Sequence, residues 1–439
     1  MILFPKIDKG IVMFLQFSVN NFRSIKDTVT FSMATASKEK DNNNFFTIKN
    51  YELLSSAVIY GANASGKSNI LKAMAFMANV VLNKAKVIQS TDTLSHDPFR
   101  LNTTTQDASS TFEMVFFIGE VKYRYGFEAD STTVYSEWLF EDTKGKEAKL
   151  FYRDSEEEHY VNATRFSEGF IFFDKSTSKI KVSKNQLFIW KCDREDDGEI
   201  SKSILHWFSR FNLIDGLNHS GYMSYTMKKM EDIEFKNKII SLVKTADTGI
   251  ENIDVQTEDV SLDVLEKMPL PDKLKEEILK DGGLQSIAVH TYHKKFNENN
   301  DEIGTMIFEL DDEESVGTQK FFKISAPILN TLQEGKILMI DELDASLHPV
   351  LTKHLINLFH DKTINTKNAQ LIFATHDTNL LKPYIFRRDQ IWLTEKDKYG
   401  ATDIYSLANF KGVRSNEDFE KQYIQGKYGA IPYLGKFEF

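Results

Sequence analysis

Gly61-Ala62-Asn63-Ala64-Ser65-Gly66-Lys67-Ser68 decides how the rest of this sequence is read. The eight residues satisfy G-x-x-x-x-G-K-[ST] at every fixed position, and they are flanked as that pattern requires. Before them Ala57-Val58-Ile59-Tyr60 is a short apolar run, the profile of a buried strand. After them Ile70, Leu71, Met74, Met77, Ala78 and Val81 recur at helical spacing. In such a strand–loop–helix, glycines let backbone N–H groups wrap phosphates while the helix presents its positive N-terminal end. The expected phosphate cradle is Gly61, Asn63, Ala64, Ser65, Gly66 and Asn69. Lys67 is expected on the outer phosphates and the Ser68 hydroxyl on Mg²⁺. The stretch predicts a nucleotide site.

Two further segments carry chemistry. Lys336-Ile337-Leu338-Met339-Ile340-Asp341-Glu342 reads as a buried strand emerging into two carboxylates. Asp341 is placed to hold the Mg²⁺ shell and Glu342 to polarise an attacking water as general base. The bland alternative is an acidic helix N-terminus, since Leu343-Asp344-Ala345-Ser346-Leu347-His348-Pro349 leads into a helix. Gln370-Leu371-Ile372-Phe373-Ala374 is a third strand ending at Thr375-His376-Asp377. A histidine there can donate to a γ-phosphate or to the attacking water.

The last third alternates apolar strands with amphipathic helices, which implies βα units and a mainly parallel sheet. Phe112 to Phe173 has the texture of strands, and residues 184–283 read as charged and mostly helical. The expected organisation is an N-terminal lobe (1–183), a helical insertion making partner or dimer contacts (184–283) and a C-terminal lobe (284–439).

Composition narrows the function classes. The chain has 439 residues, 41% hydrophobic and 27% charged, which suits a globular protein with a sizeable core. Apolar runs are too short to span a bilayer, so no membrane is expected. Lys6, Asp8 and Lys9 interrupt the N-terminal apolar stretch, against a secretory signal. A single cysteine, Cys192, fits a reducing cytoplasm and leaves no Cys-based zinc site. The net charge of −10 argues against a general polyanion binder, while a local basic groove stays open.

The phosphate loop, ILMIDE, DASLHP and THD, in this order, resemble the ABC-type ATPases of the SMC, RecF and OLD kind. NNFRSIKD, ESVGTQKF at 314–321, LIFATHDTNLL, RRDQIW and YIQGKYGAIP narrow the resemblance to the bacterial AAA15 family of ATP-binding proteins. That family includes RloA- and AbiL-type abortive-infection ATPases. The resemblance implies an α/β P-loop fold of ABC-ATPase type, with a mixed sheet and a largely helical insertion. It also implies ATP and Mg²⁺ as cofactors, slow ATP hydrolysis, and two copies sandwiching the nucleotide. Ser315, Gly317 and Thr318 would then be the signature loop reaching the partner copy's phosphates, with Thr318 where transporters carry a second glycine. Asp344 would be the dimer-crossing residue, His376 the γ-phosphate switch and Arg23 a neighbour of the nucleotide.

The interval from Ser68 to Ser315 is far longer than transporter modules have, and it lacks the sustained heptads of an SMC arm. The stretch after His376 is too short for the Toprim nuclease of OLD proteins. Glu156-Glu157-Glu158 and Asp311-Asp312-Glu313-Glu314 read as solvated faces rather than metal sites. Trp207, Phe208 and Phe211 read as core rather than base-stacking platforms. Arg387-Arg388 is left open as a nucleic-acid or partner contact. Two expectations follow. One is an ATPase switch of an anti-phage (abortive infection) system controlling a separately encoded effector such as a nuclease or toxin. The other is a RecF-like DNA-repair ATPase stimulated by DNA.

Overall fold

The computed structural model describes residues 12–36, 44–196, 198–216, 220–246, 248–271, 274–275, 278–279, 285–413 and 417–432. The N-terminal stretch read above for a signal lies, up to Ile11, outside the described residues. The chain divides into two compact units. The first is drawn from Met1–Leu217, Thr331–Ala345 and Thr352–Phe439, the second from Asn218–Asn330 and Ser346–Leu351.

In the first unit one helix, α1 (Lys67–Val81), is buried between two sheets. Its apolar residues Ile70, Leu71, Met74, Met77, Ala78 and Val81 share a core with both, which is why they recur at helical spacing. One sheet is antiparallel. Strands β1 (Val12–Asn20), β2 (Val29–Ser32), β6 (Ser110–Ile118), β7 (Val121–Ala129), β8 (Val134–Asp142), β9 (Glu147–Asp154) and β10 (Tyr160–Val161) lie in the order β10-β9-β8-β7-β6-β1-β2. The hairpin β3 (Phe45–Ile48) and β4 (Tyr51–Leu54) stands apart, as does the short pair β11 (Phe173–Asp174) and β12 (Lys179–Ile180).

The other sheet positions the site. Strands β5 (Ser56–Gly61), β13 (Phe211–Asp215), β17 (Ile337–Asp341), β18 (Gln370–Ala374), β19 (Ile391–Lys396) and β20 (Thr402–Ser406) lie in the order β13-β17-β18-β5-β19-β20. All but β20 run parallel. β5 and β18 are buried along their whole length, as expected of central parallel strands covered on both faces. The result is a mixed sheet, parallel at its core with one antiparallel strand at its edge.

Residues 184–216 fold with this unit. Helices Phe188–Asp196 and Glu199–Phe208 lead into β13, which pairs parallel with β17. Trp207 is fully buried and stacks on Phe116 with ring centroids 3.9 Å apart, a core position.

The second unit contains helices Ser220–Lys229, Ile233–Lys244 and Leu262–Lys267, and most of the helix Val316–Glu334, up to Asn330. It also holds a three-stranded antiparallel sheet of β14 (Ile250–Asp259), β15 (Gln285–Phe296) and β16 (Glu302–Glu309). No helix among the described residues is long and apolar enough to cross a membrane.

Candidate phosphate-binding site

Three parallel strands deliver candidate residues to one edge of the second sheet. β5 ends at Gly61, β17 at Asp341 and β18 just before Thr375-His376. The registers Ile340↔Phe373 and Ala374↔Ile59 keep these ends level. Open α/β sheets bind ligands outside this carboxyl edge.

From Gly61 the chain turns through Ala64 (φ 62°) and Gly66 (φ 111°) into α1. Gly66 is the helix N-cap. No side chain caps it and the first turn carries no acid, so the free N–H groups keep their partial positive charge for an anion. Asn63 and Ala64 form the exposed tip of the loop.

Neighbouring strands brace the loop from the side. Ser65 Oγ lies 2.7 Å from Thr394 Oγ1, and the Thr394 hydroxyl also donates to the Tyr60 carbonyl at 3.2 Å. The Thr402 hydroxyl reaches the Ser65 carbonyl and Ser24 Oγ, both at 2.8 Å. Asn69 Nδ2 donates to Ser24 Oγ at 2.7 Å. Ser24, Thr394 and Thr402 were missed in the sequence. They are single hydroxyl residues far from the loop along the chain, and no local pattern marks them.

The Lys67 side chain lies under the loop, with the residue 6% exposed. Its ammonium donates to the carbonyls of Gly61 (2.9 Å) and Ala62 (3.2 Å). Burial lowers its pKa, while Asp341, Glu342 and Asp344 act in the opposite direction. The same acids bear on His376, whose pKa is lowered first by burial and then by the Lys67 charge. Lys67, Asp341, Glu342, Asp344 and His376 thus form one electrostatic cluster. The His376 N–H donates to Asp344 Oδ2 at 3.3 Å. Asp341 Oδ1 and Asp344 Oδ1 are buried without a hydrogen-bond partner. Glu342 adopts a left-handed backbone (φ 54°), which turns the chain sharply after β17.

Asp341 and the Ser68 hydroxyl are the donor types a Mg²⁺ ion takes, and an orphaned buried carboxylate oxygen suits a cation. Among the described residues no cluster of three His, Cys, Asp or Glu side chains stands ready for a metal on its own.

The remaining sequence-predicted residues have contacts of their own. The Arg23 guanidinium pairs with Asp97 at 2.7 Å and lies over the Phe22 ring. Its successor Ser24 is the residue that meets Asn69. Ser315, Gly317 and Thr318 lie in the second unit, at the start of the helix Val316–Glu334. Ser315 Oγ accepts from the Thr318 N–H at 3.1 Å, capping that helix. The preceding Glu314 accepts from Thr291 Oγ1 (2.6 Å) and lies 2.7 Å from His293 Nε2.

Of the pair Arg387-Arg388, left open as a surface contact, Arg387 is buried and Arg388 partly exposed. Arg387 is 3% exposed and pairs in bidentate fashion with Asp389, while Arg388 donates to the Val413 carbonyl.

Among curated proteins none matches the chain in sequence. Solved structures resemble it at low similarity. An SMC head bound to the C-terminal winged-helix domain of ScpA has 14% identity and a TM-score of 0.39, with 90% of this chain and 97% of that chain covered. The SMC head domain from Thermotoga maritima has 12% identity and a TM-score of 0.39, covering 90% and 98%. The recombination mediator RecF has 11% identity and a TM-score of 0.32, again covering 90% and 98%. A family model described as "AAA domain, putative AbiEii toxin, Type IV TA system" matches residues 56–382, from the first residue of β5 past His376. The match spans the phosphate loop, the Asp341-Glu342 turn and the whole second unit, and the chain belongs to that AAA-domain family.

Proposed function

We propose that the protein is an ATP-hydrolysing switch of the ABC type, acting in a bacterial anti-phage (abortive infection) system through a separately encoded effector, a nuclease or toxin. The observation that carries the ATPase reading is the cluster of Lys67, Asp341, Glu342, Asp344 and His376 at the carboxyl edge of the sheet, with a buried unpartnered oxygen on Asp341. The family description names a "putative AbiEii toxin, Type IV TA system", and the defence role with a separate effector goes beyond those words.

In this reading the loop Gly61–Ser68 and the first turn of α1, including Asn69, wrap the phosphates of ATP. Lys67 leaves the Gly61 and Ala62 carbonyls for the β- and γ-phosphates. Ser68 and Asp341 would hold Mg²⁺, which when bound neutralises phosphate charge. Glu342 orients and deprotonates the attacking water, a role worth about 10²- to 10⁴-fold in rate. His376 donates to the γ-phosphate. Ser315, Gly317 and Thr318 of a second copy supply hydroxyl and backbone donors from across a dimer, with Asp344 near the crossing point.

The test is phosphate release by the purified protein, together with its solution mass, for the wild type and for Glu342→Gln. The reading expects slow turnover in the wild type and at least a hundredfold loss in the variant. It also expects ATP-dependent doubling of mass in the variant. A constant monomer in ATP and Mg²⁺ would sink the sandwich. Turnover that rises only with DNA would move the function to the repair alternative. Unchanged phage sensitivity on deleting the gene with its neighbour would sink the defence role.

A further inference from the structure

The C-terminal stretch Tyr423-Ile424-Gln425-Gly426-Lys427-Tyr428-Gly429-Ala430-Ile431-Pro432 contributes none of the residues assigned above to the phosphates. In the structure it packs beside that site. The short helix Phe419–Ile424 is capped by Asp418, whose side chain accepts from the Lys421 N–H at 3.1 Å. From its first turn Glu420 reaches the loop that follows β18. Glu420 Oε1 accepts from Thr378 Oγ1 at 3.1 Å, and Oε2 lies 2.5 Å from Lys382 Nζ. One carboxylate therefore grips both ends of the segment that begins directly after His376-Asp377.

Other contacts fix the two partners of this grip. The Tyr60 hydroxyl donates to the Asp377 carbonyl at 2.9 Å, and the Tyr60 ring lies against Tyr423 with centroids 5.8 Å apart. Tyr60 is the residue before Gly61, so the loop after β18, the start of the phosphate loop and the C-terminal helix meet at one ring. Beyond the helix the chain reverses through Gly426, Gly429 and Ala430, all with left-handed backbones. It is anchored there on the sheet edge. The Tyr405 hydroxyl donates to the Tyr428 carbonyl at 3.0 Å, the Ala430 N–H donates to Glu395, and the Tyr423 hydroxyl donates to the Ala430 carbonyl at 3.0 Å.

We propose that residues 418–430 form a clamp that positions His376, with Glu420 as the positioning residue acting through Thr378 and Lys382. The inference rests on the reading of His376 as the γ-phosphate donor and adds how its loop is controlled. The His376 side chain is exposed, and its backbone N–H donates to Asp344 Oδ2. The segment directly behind it is restrained by Tyr60 at Asp377 and by Glu420 at Thr378 and Lys382, and Glu420 is the charged restraint. Lifting the clamp withdraws His376 without touching the loop that holds the phosphates, so the C-terminal segment separates binding from hydrolysis. A partner that displaces the clamp would switch turnover off while ATP stays bound.

The experiment compares the full chain with Glu420→Ala, Glu420→Gln and the charge swap Lys382→Glu with Glu420→Lys, using MgATP as the probe. Steady-state turnover is measured alongside hydrogen exchange of the peptides covering 375–382 and 61–68. Glu420→Ala is expected to lower kcat at least tenfold with KM within twofold. It should also raise exchange at least tenfold in 375–382 and leave 61–68 unchanged. Glu420→Gln, which keeps an acceptor for Thr378 but loses the charge, should fall between. The swap should restore both readouts. Unchanged exchange at 375–382 in Glu420→Ala, or a rise equally large in both peptides, overturns the clamp. Absence of turnover in the wild type refutes the ATPase reading alone, and the exchange of the two peptides then decides the clamp by itself.

Discussion

The Gly216 N–H donates to the Asp341 carbonyl at 2.8 Å, locking the end of β13 to the acidic end of β17. A Cβ on Gly216 would run into the carbonyl oxygens of Asp341 and Glu342 and lie 2.8 Å from the Glu342 carbonyl carbon. No flexible side chain is available there to yield, so an added methyl must move the backbone that carries both acids. Gly216→Ala is expected to lower turnover at least tenfold and to cost about 1–3 kcal/mol of stability as an overpacking change. Steady-state kinetics and a urea melt check this. A variant with wild-type turnover would mean that the Asp341-Glu342 turn tolerates displacement.

The hydroxyl brace leads to a milder expectation. Thr394→Val keeps the shape and removes the partner of Ser65 Oγ and of the Tyr60 carbonyl. Losing a buried hydrogen bond costs about 1 kcal/mol, roughly a fivefold change in an equilibrium. Binding of a fluorescent ATP analogue should weaken by about that factor, while the exposed Ser18–Thr30 hydroxyl pair, cut by Thr30→Val, should leave it unchanged. Equal affinity in the Thr394 variant would show that the loop holds its form without the brace.

The parts of the site that were legible in the sequence are local. Gly61 to Ser68 announces itself because backbone wrapping, lysine and hydroxyl must all sit within one turn, and a buried strand and an amphipathic helix must flank them. Asp341 and His376 were legible for a related reason, since each follows an uninterrupted apolar run that can only be a central strand. β13 was not legible. Its five residues, Phe211–Asp215, directly follow an amphipathic helix, and Phe211 continues that helix's aromatic pattern. Ser24, Thr394, Thr402 and Gly216 act through tertiary neighbours, which a single sequence does not display. Glu420 lay close to a motif noted for its resemblance, yet nothing in the spacing tied it to His376.

Trp207 tests the core reading against the base-stacking one. Its ring is fully buried against Phe116, Phe208 and Phe211. Trp207→Ala should cost about 3–5 kcal/mol, the range for removing a buried aromatic. Trp207→Phe should fold and bind DNA as the wild type does, whatever that affinity is. A loss of DNA binding in the folded Phe variant would contradict the core assignment.

His360 gives a pH dependence that is separate from catalysis. Its Nε2 lies 2.7 Å from Ser56 Oγ at the amino end of β5, and burial pulls its pKa down to about 4. The unfolded chain binds a proton at this histidine near pH 6.5, whereas the folded chain stays neutral until about pH 4. The unfolded state thus holds more protons across that window, so stability rises with pH through it and falls as pH drops from 6.5 toward 4. The expected loss is at most about 3 kcal/mol. Urea melts across the window should show it, and His360→Asn should flatten this part of the profile.

Lys67 and His376 offer a direct test of the charge cluster. The Lys67 ammonium is the second cause that holds the His376 pKa low, after burial, and Asp344, Glu342 and Asp341 push in the opposite direction. Lys67→Met keeps most of the side-chain bulk and removes the positive charge. Three carboxylates then face His376 without a compensating cation, so its pKa must move up. NMR titration of the histidine rings in wild type and variant should resolve the shift, with His159, which lies on the hairpin of β9 and β10, unmoved. The same substitution should weaken ATP binding at least a hundredfold, because the methionine cannot reach the phosphates with charge. If His376 titrates identically in both proteins, Lys67 is not part of its electrostatic environment and the cluster at the strand ends is not a working unit.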